Sequence, residues 1–439
     1  MQVKTFKQGG VHPPEFKDAT ASRPIRNAAL PPLLVIPLHQ HTGAPCQPLV
    51  KVGDRVLAGD KLGEADGLIA ASVHASASGE VIAIEPRQHF DGQRVLAVVI
   101  KTDAAQVQAQ FTPPDSAAVT PDAIRAAARE AGLVGMGGAA FPTAVKLAPP
   151  PGKPIDAVIA NGCECEPYLT CDHRLMLEHA DALLSGLRLA MTAVGAKHGY
   201  IGIEANKPDA IALLSDKADG NVSVLPLEVK YPEGAEKQLI QAVLGREVPP
   251  GKLPSEVGAL VQNVGTLIAL HEAVFLGKPL TERVVTVSGP GVVQPDNLRV
   301  KIGTPISHLF ADCGGLTGHV ARVVMGGPMT GWAQPNLDSP VVKGTSGLLA
   351  LTAEVVPSME GSDCVRCGRC AEVCPMRLLP NYISVTAAAG LYDLAERWGA
   401  TDCFECAACA YVCPANRPII HLIRQTKAEI SARRRREPK

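Results

Sequence analysis

The order of apolar and polar positions divides the chain into stretches of different period. Residues 30–100 hold two similar halves, 50–63 and 73–84, in which short alternating runs are broken by Gly53-Asp54, Gly59-Asp60 and Gly79. That pattern predicts a small β sandwich. Residues 121–131 are alanine-rich, with Thr120 placed to cap and Pro121 at the first helical position, which predicts a helix. A short apolar strand is expected at 157–160. Residues 257–277 form the longest apolar stretch, but Gln262, Asn263, His271 and Glu272 interrupt it. It reads as a buried helix, because a membrane span requires ~18 apolar residues in a row. Alternation returns over 284–302, and helices are expected at 380–398 and 418–432. Residues 1–10 show no apolar core of signal-peptide type. The expectation is a protein on the cytoplasmic side with no transmembrane segment of its own, reaching any membrane through partners.

Composition narrows the class. Of 439 residues, 46% are hydrophobic and 19% charged, enough apolar side chain to exclude a disordered chain. The length suggests about three domains. The net charge of −1 argues against nucleic acid as a partner.

Cysteine usage then decides the chemistry. Eight of the 13 cysteines fall into two runs, Cys364, Cys367, Cys370, Cys374 and Cys403, Cys406, Cys409, Cys413, each followed by proline. Both read C-x2-C-x2-C-x3-C-P, the spacing that holds cubane iron–sulfur clusters. A loop with a ligand every third residue wraps three corners of one cluster. The fourth cysteine lies on the following helix and reaches the other cluster. Cys364, Cys367, Cys370 and Cys413 are thus assigned to one [4Fe–4S] cluster, and Cys403, Cys406, Cys409 and Cys374 to the second. Zinc sites more often pair C-x2-C motifs across a longer gap. Cys46 and Cys313 read as buried apolar residues. Cys163, Cys165 and Cys171 crowd one loop without a fourth partner, a poor third metal site.

Two central segments carry a second set of signals. Residues 135–146, GMGGAAFPTAVK, form a glycine-rich loop whose backbone N–H groups can approach a phosphate or ring closely, with a lysine following. An ordinary tight turn has the same composition. The expected strand at 157–160 runs into Asn161-Gly-Cys-Glu164-Cys-Glu166-Pro. Two acids at a strand's mouth suit a site at the carboxyl edge of a parallel sheet, or simply a solvated loop.

Taken together, these residues resemble the RnfC family, the NADH- and flavin-binding subunits of Rnf (Rsx) electron transport complexes. The resemblance spans nearly the whole chain. Its carriers are residues 11–15 (VHPPE), 40–45 (QHTGAP), 135–143, 164–168 (ECEPY), 170–172 (TCD), 325–329 (MGGPM) and both cysteine runs. The glycine loop also resembles that of the 51-kDa NADH-binding subunit of complex I, with Ala140 and Ala144 replacing two glycines. The resemblance implies a backbone cradle for FMN at Gly135, Gly137 and Gly138, with Thr143 and Lys146 alongside. It implies a stacking aromatic at Phe141 and flavin contacts at Asn161, Glu164 and Cys165. Glu166 takes the place of an acid that meets the NADH ribose. Cys163 replaces an aspartate. Tyr231, Gly234 and Glu236 are similar to an element closing the pocket, with Ala235 replacing a second glutamate. Asn263 and Thr266 are similar to flavin-phosphate contacts.

The expected fold is therefore an α/β multidomain protein. It has an N-terminal barrel-sandwich β module (1–112) and a Rossmann-like flavin/NADH-binding α/β domain (113–282). A β-grasp, SLBB-like module (283–352) and a C-terminal α-helical ferredoxin-type 2[4Fe–4S] domain with a basic tail (353–439) complete it. No lipoyl-type lysine hairpin joins the two halves of the first module, so a swinging-arm role is not expected. The implied cofactors are two [4Fe–4S] clusters and FMN, with NAD(H) as substrate. A flavin is needed between them because NADH delivers two electrons and each cluster takes one. The resemblance implies an ion-translocating NADH:ferredoxin oxidoreductase subunit, peripheral on the cytoplasmic face of a bacterial inner membrane. Its partners would be the complex's membrane subunits and ferredoxin-like subunit, with ferredoxin or flavodoxin reached through the complex. Two readings stay open beside it: a non-enzymatic iron–sulfur relay adaptor, and an Rsx role in reducing a redox-sensing transcription factor. Arg433–Arg436 reads as a solvated tail, or as a dock for an acidic partner or anionic lipid.

Overall fold

Residues 157–263 supply four short apolar strands, and the computed structural model, which describes residues 3–111, 119–356 and 360–436, arranges them as one parallel sheet. Its order is Val222–Leu227, His198–Glu204, Ala157–Asn161, Ala259–Asn263. The chain winds outward from the Ala157–Asn161 strand and then returns to its other side, so this strand and Ala259–Asn263 flank a reversal of winding. In register, Asn161 sits opposite Asn263 at the carboxyl end of that pair. Ligands of open α/β sheets bind at such a point, where the connections leave the two strands in opposite directions.

The stretch 257–277, expected as one buried helix, is instead the strand Ala259–Asn263 followed by the helix Val264–Leu276. The Asn263 Oδ1 accepts the Gly265 N–H at 2.9 Å and starts the helix. A short apolar run cannot distinguish a buried strand from a buried helix; the neighbouring strand decides. This helix packs on Ala180–Val194 so closely that a Cβ on Gly186 would lie 1.9 Å from the Leu267 carbonyl oxygen. Both helices share one large core with the sheet.

The flanking modules hold this unit. Leu33–Pro37, Arg94–Thr102, Gly79–Gln88 and Arg55–Val56 form one antiparallel sheet. Gln47–Pro48, Lys61–Glu64 and Val73–His74 form a second, and a common core lies between the two. A six-stranded mixed sheet is built around Glu282–Ser288 and Gly347–Thr352, with Arg26–Asn27 at one edge. The expected boundary at 112/113 lies outside the described residues.

The helix expected over 380–398 is two, Pro380–Ala388 and Tyr392–Arg397, broken at Gly390, whose φ is +70°. Ile419–Arg436 is one long helix that continues through the basic run. Arg433 pairs with Asp393 at 2.9 Å, and Arg434 with Glu396. This part of the run is therefore tied to a neighbouring helix, not a free tail. Cations at a helix C-terminus also meet a favourable dipole. Among the described residues no helix is long and apolar enough to cross a membrane.

Candidate functional site

The glycine loop closes on itself before it meets anything else. Gly135 N–H donates to the Phe141 carbonyl at 2.8 Å and Thr143 N–H to that of Leu133 at 2.9 Å. The closed loop lies over the first turn of Val264–Leu276: Met136 N–H donates to the Thr266 hydroxyl at 2.9 Å. Gly137 leaves room for Asn263, since a Cβ there would stand 3.0 Å from its amide nitrogen. Gly138 is exposed, and a Cβ on it would meet nothing within 4 Å. An open backbone cradle above paired strand ends thus suits a flat, phosphorylated cofactor. Ala140 adopts φ +50°, so the methyl replacing a family glycine sits in a conformation that costs a non-glycine residue about 1 kcal/mol. Buried Arg283 steadies the loop from the β-grasp sheet, donating to the Met136 carbonyl at 3.2 Å. The Thr143 hydroxyl is buried without a partner among the described residues.

Most of the remaining expected residues gather at the same strand ends. The Lys146 ammonium pairs with Glu236 at 2.8 Å and donates to the Val261 carbonyl at 2.7 Å. The Asn161 amide donates to the Gly234 carbonyl at 2.8 Å. Asn263 donates to Asp172 at 2.6 Å. Burial, then the neighbouring Glu164 charge, raises the Asp172 carboxyl to about 7.

The two acids of the loop are not free. Glu164 accepts N–H bonds from Asp172 at 2.7 Å and His173 at 3.1 Å, at the start of the Cys171–Glu178 helix. Its carboxylate oxygen lies near the Cys171 thiol and Asp172, a grouping that this helix start accounts for. Glu166 accepts from Met329 N–H and Thr330 N–H, each at 2.9 Å, and from the Thr330 hydroxyl at 2.5 Å. The acid expected at the ribose position is therefore occupied in this structure: its carboxylate is engaged by the 325–330 loop. Gly327 permits that contact, because a Cβ would lie 2.3 Å from a Glu166 oxygen.

Tyr231 links the cleft to the cysteine loops. Its hydroxyl donates to the Cys406 carbonyl at 2.7 Å, and Cys165, Val11 and Cys406 pack around it. The N–H of Gly10 donates to Val373 at 2.9 Å, so the N-terminal segment lies between the two. Cys374, Cys403, Cys406 and Cys409 line one largely apolar cavity with Leu378, Ile383 and Phe404. Cys364, Cys367, Cys370 and Cys413 line a second. Four thiols around each apolar cavity are the donor set a cubane takes. Burial pushes Cys403 up to about 11 and Cys406 to about 12, so these thiols ionise only against a bound cation. Backbone N–H groups of Leu378 and Glu405 donate to the sulfurs of Cys374 and Cys403, each at 3.3 Å, contacts that tune a cluster's potential.

Sequence reasoning missed the buried ionisable groups around the loop: Lys17, Glu204, Lys207 and Glu233. The motif at residues 11–15 stops two positions short of Lys17, and no local spacing marks the others. Glu233 accepts from the Thr5 hydroxyl at 2.9 Å, while its second oxygen has no partner among the described residues. Burial raises its carboxyl from 4.5 to about 8. The folded protein therefore holds a proton that the unfolded chain releases above its ordinary value. The contribution of this group to stability is complete below about pH 4.5 and declines as pH rises to about 8. Glu233→Gln keeps the acceptor and removes the titration. It should flatten that decline, with a gain on the order of 2 kcal/mol at pH 9, read from urea midpoints across the pH range.

Comparison with known proteins agrees along the whole chain. Four described domain families match: the RnfC barrel sandwich hybrid domain over 4–105, the Nuo51 FMN-binding domain over 128–272, the SLBB domain over 284–333 and the 4Fe-4S dicluster domain over 357–414. The chain is 47% identical to a subunit of the Na(+)-translocating ferredoxin:NAD(+) oxidoreductase complex of Acetobacterium woodii, over 99% of this chain and 100% of that one. It is 45% identical to the counterpart from the proton-translocating complex of Clostridium ljungdahlii, over 99% and 96%. It is 42% identical to the counterpart from the ion-translocating oxidoreductase complex of Rhodobacter capsulatus, over 98% and 84%.

Proposed function

This chain belongs to the RnfC family, a family of subunits of ion-translocating ferredoxin:NAD(+) oxidoreductase complexes, and from that premise we propose how its residues divide the work. It is an electron-transfer subunit with an FMN-binding domain and a dicluster domain. Bound FMN supplies the exchange between a two-electron hydride and single electrons. Gly135, Gly137 and Gly138 hold its backbone-facing side, and Asn263 and Thr266 its phosphate end. Asn161 with Gly234 sets the opposite wall. Lys146 and Glu236 stand at the mouth beside Thr143, and Phe141 offers a ring for the nucleotide. Glu164 and Cys165 present backbone to the flavin. Glu166 meets NAD(H) only when the 325–330 loop releases it.

The quartet Cys374, Cys403, Cys406 and Cys409 receives electrons first. The quartet Cys364, Cys367, Cys370 and Cys413 passes them outward, with Cys367 exposed. One observation carries this order: the 2.7 Å bond from Tyr231, at the flavin cleft, to the Cys406 carbonyl. The subunit sits peripherally on the cytoplasmic face of a bacterial inner membrane. There it joins membrane subunits and a ferredoxin-like subunit, and exchanges electrons with ferredoxin or flavodoxin through them. The other subunits move Na+ or H+.

The reconstituted chain should hold about eight irons. It should also show flavin absorbance near ~450 nm that NADH bleaches, followed by cluster paramagnetic signals. A protein that keeps its iron but binds no flavin and oxidises no NADH would reduce the reading to an iron–sulfur relay.

A further inference from the structure

Two buried ammonium groups lie behind the loop that leaves Asn161. The Lys17 Nζ donates to the carbonyl oxygens of Glu164 at 2.9 Å, Glu166 at 3.0 Å and Leu169 at 2.5 Å. A protonated amine has three donors, so three acceptors saturate the charged form. The Lys207 Nζ is equally engaged, with the Cys163 carbonyl at 2.6 Å, the Glu204 carboxylate at 3.1 Å and the Asn206 side-chain oxygen at 2.9 Å. Lys17 is 9% exposed and Lys207 1%. Burial pulls Lys17 below the ordinary lysine range while Glu164 opposes it. Burial pulls hardest on Lys207 too, but the Glu204 and Glu164 carboxylates together outweigh it and the net shift is upward. Together the two lysine heads satisfy four backbone carbonyls of one loop. Here the arrangement ties the N-terminal segment to a strand end far along the chain.

The clamp has a consequence on the loop's other side. In a trans peptide the N–H points opposite to the preceding carbonyl. With the Cys163 and Glu164 carbonyls turned onto the lysines, the N–H groups of Glu164 and Cys165 point away from them. Neither has a partner among the described residues. Glu164 itself adopts φ +52°, a conformation that persists for a non-glycine residue only where its surroundings enforce it. Neighbouring N–H groups around such a residue form a concavity that receives an electron-rich oxygen.

We propose that Lys17 and Lys207 are positioning residues that clamp this loop so that the Glu164 and Cys165 N–H groups form a donor pair for the oxygen-bearing edge of the flavin ring. The proposal rests on the FMN site described above. Because a donor pair favours the more electron-rich form of its ligand, the clamp also raises the flavin's reduction potential.

The test uses the full reconstituted chain and FMN. Lys17→Met keeps the stem and removes all three bonds. FMN should bind it at least tenfold more weakly. A further tenfold loss is expected for the reduced form, which corresponds to a drop of about 30 mV for a two-electron couple. Lys17→Arg should fall between, and unchanged iron content marks folded protein. In the wild type, hydrogen exchange of the Glu164 and Cys165 amides should slow when FMN binds, a measurement that stands even where a variant fails to fold. Two results overturn the proposal: iron-loaded Lys17→Met with wild-type FMN affinity and potential, or FMN bound to wild type with exchange at those amides unchanged. A wild type that binds no FMN overturns the site assignment itself, and the clamp's role with it.

Discussion

Cys374→Ser should cost the reconstituted protein about four of its eight irons, and the lost set should be the one held by Cys403, Cys406 and Cys409. By sequence Cys374 belongs to the other run, yet it lines the cavity with those three. Serine is a poor ligand for a cluster edge in an apolar pocket, and three thiolates leave one iron open to solvent loss. Alkylation followed by peptide mass spectrometry reads the result directly. Cys403, Cys406 and Cys409 should become reactive, while Cys364 and Cys370 stay protected. Cys413→Ser should give the reciprocal pattern, because it lines the other cavity. In Cys374→Ser, NADH should still bleach the flavin, but reduction of the remaining cluster should slow by orders of magnitude, because the nearer relay step is gone. Loss of protection at Cys364, Cys367 and Cys370 instead would sink the crossed assignment.

Gly186→Ala should be the most destabilising single methyl in the flavin unit. The added Cβ would stand 1.9 Å from the Leu267 oxygen and 2.5 Å from its carbon. Both are backbone atoms in the middle of a helix, so no rotamer change relieves them. The Ala180–Val194 and Val264–Leu276 helices must separate, opening the largest core of the protein. Overpacking costs about 1–3 kcal/mol where side chains can yield. A backbone collision of this depth should reach the top of that range or pass it, with at least ~3 kcal/mol lost. The damage should extend to the cofactor, since Asn263 and Thr266 lie within one turn of Leu267. Denaturant midpoints and flavin content measure both. Wild-type values for the two would show that the helices part without cost.

The cysteine runs were legible because the thiols that line each cavity lie mostly close together in sequence. Spacing along a short segment limits which atoms can surround one cofactor, whatever the rest of the chain does. Other parts were legible in kind but not in placement. The apolar run 257–277 shows burial, but its division into strand and helix comes from the neighbouring Ala157–Asn161 strand and the cap at Asn263. The paired acids Glu164 and Glu166 were visible, but not the backbone N–H groups of Asp172, His173, Met329 and Thr330 that occupy them.

The sequence by itself determined the chemical class: two runs with cubane spacing, and a glycine-rich loop and acidic motif that point to the family joining them. Only the tertiary structure decided that Tyr231 meets the Cys406 carbonyl, and that Lys17 grips a loop 147 residues away. The physical reason is the nature of the partners. A lysine that binds main-chain carbonyls can find them on any residue, so nothing in its partners' side chains announces the contact. Folding alone brings them together.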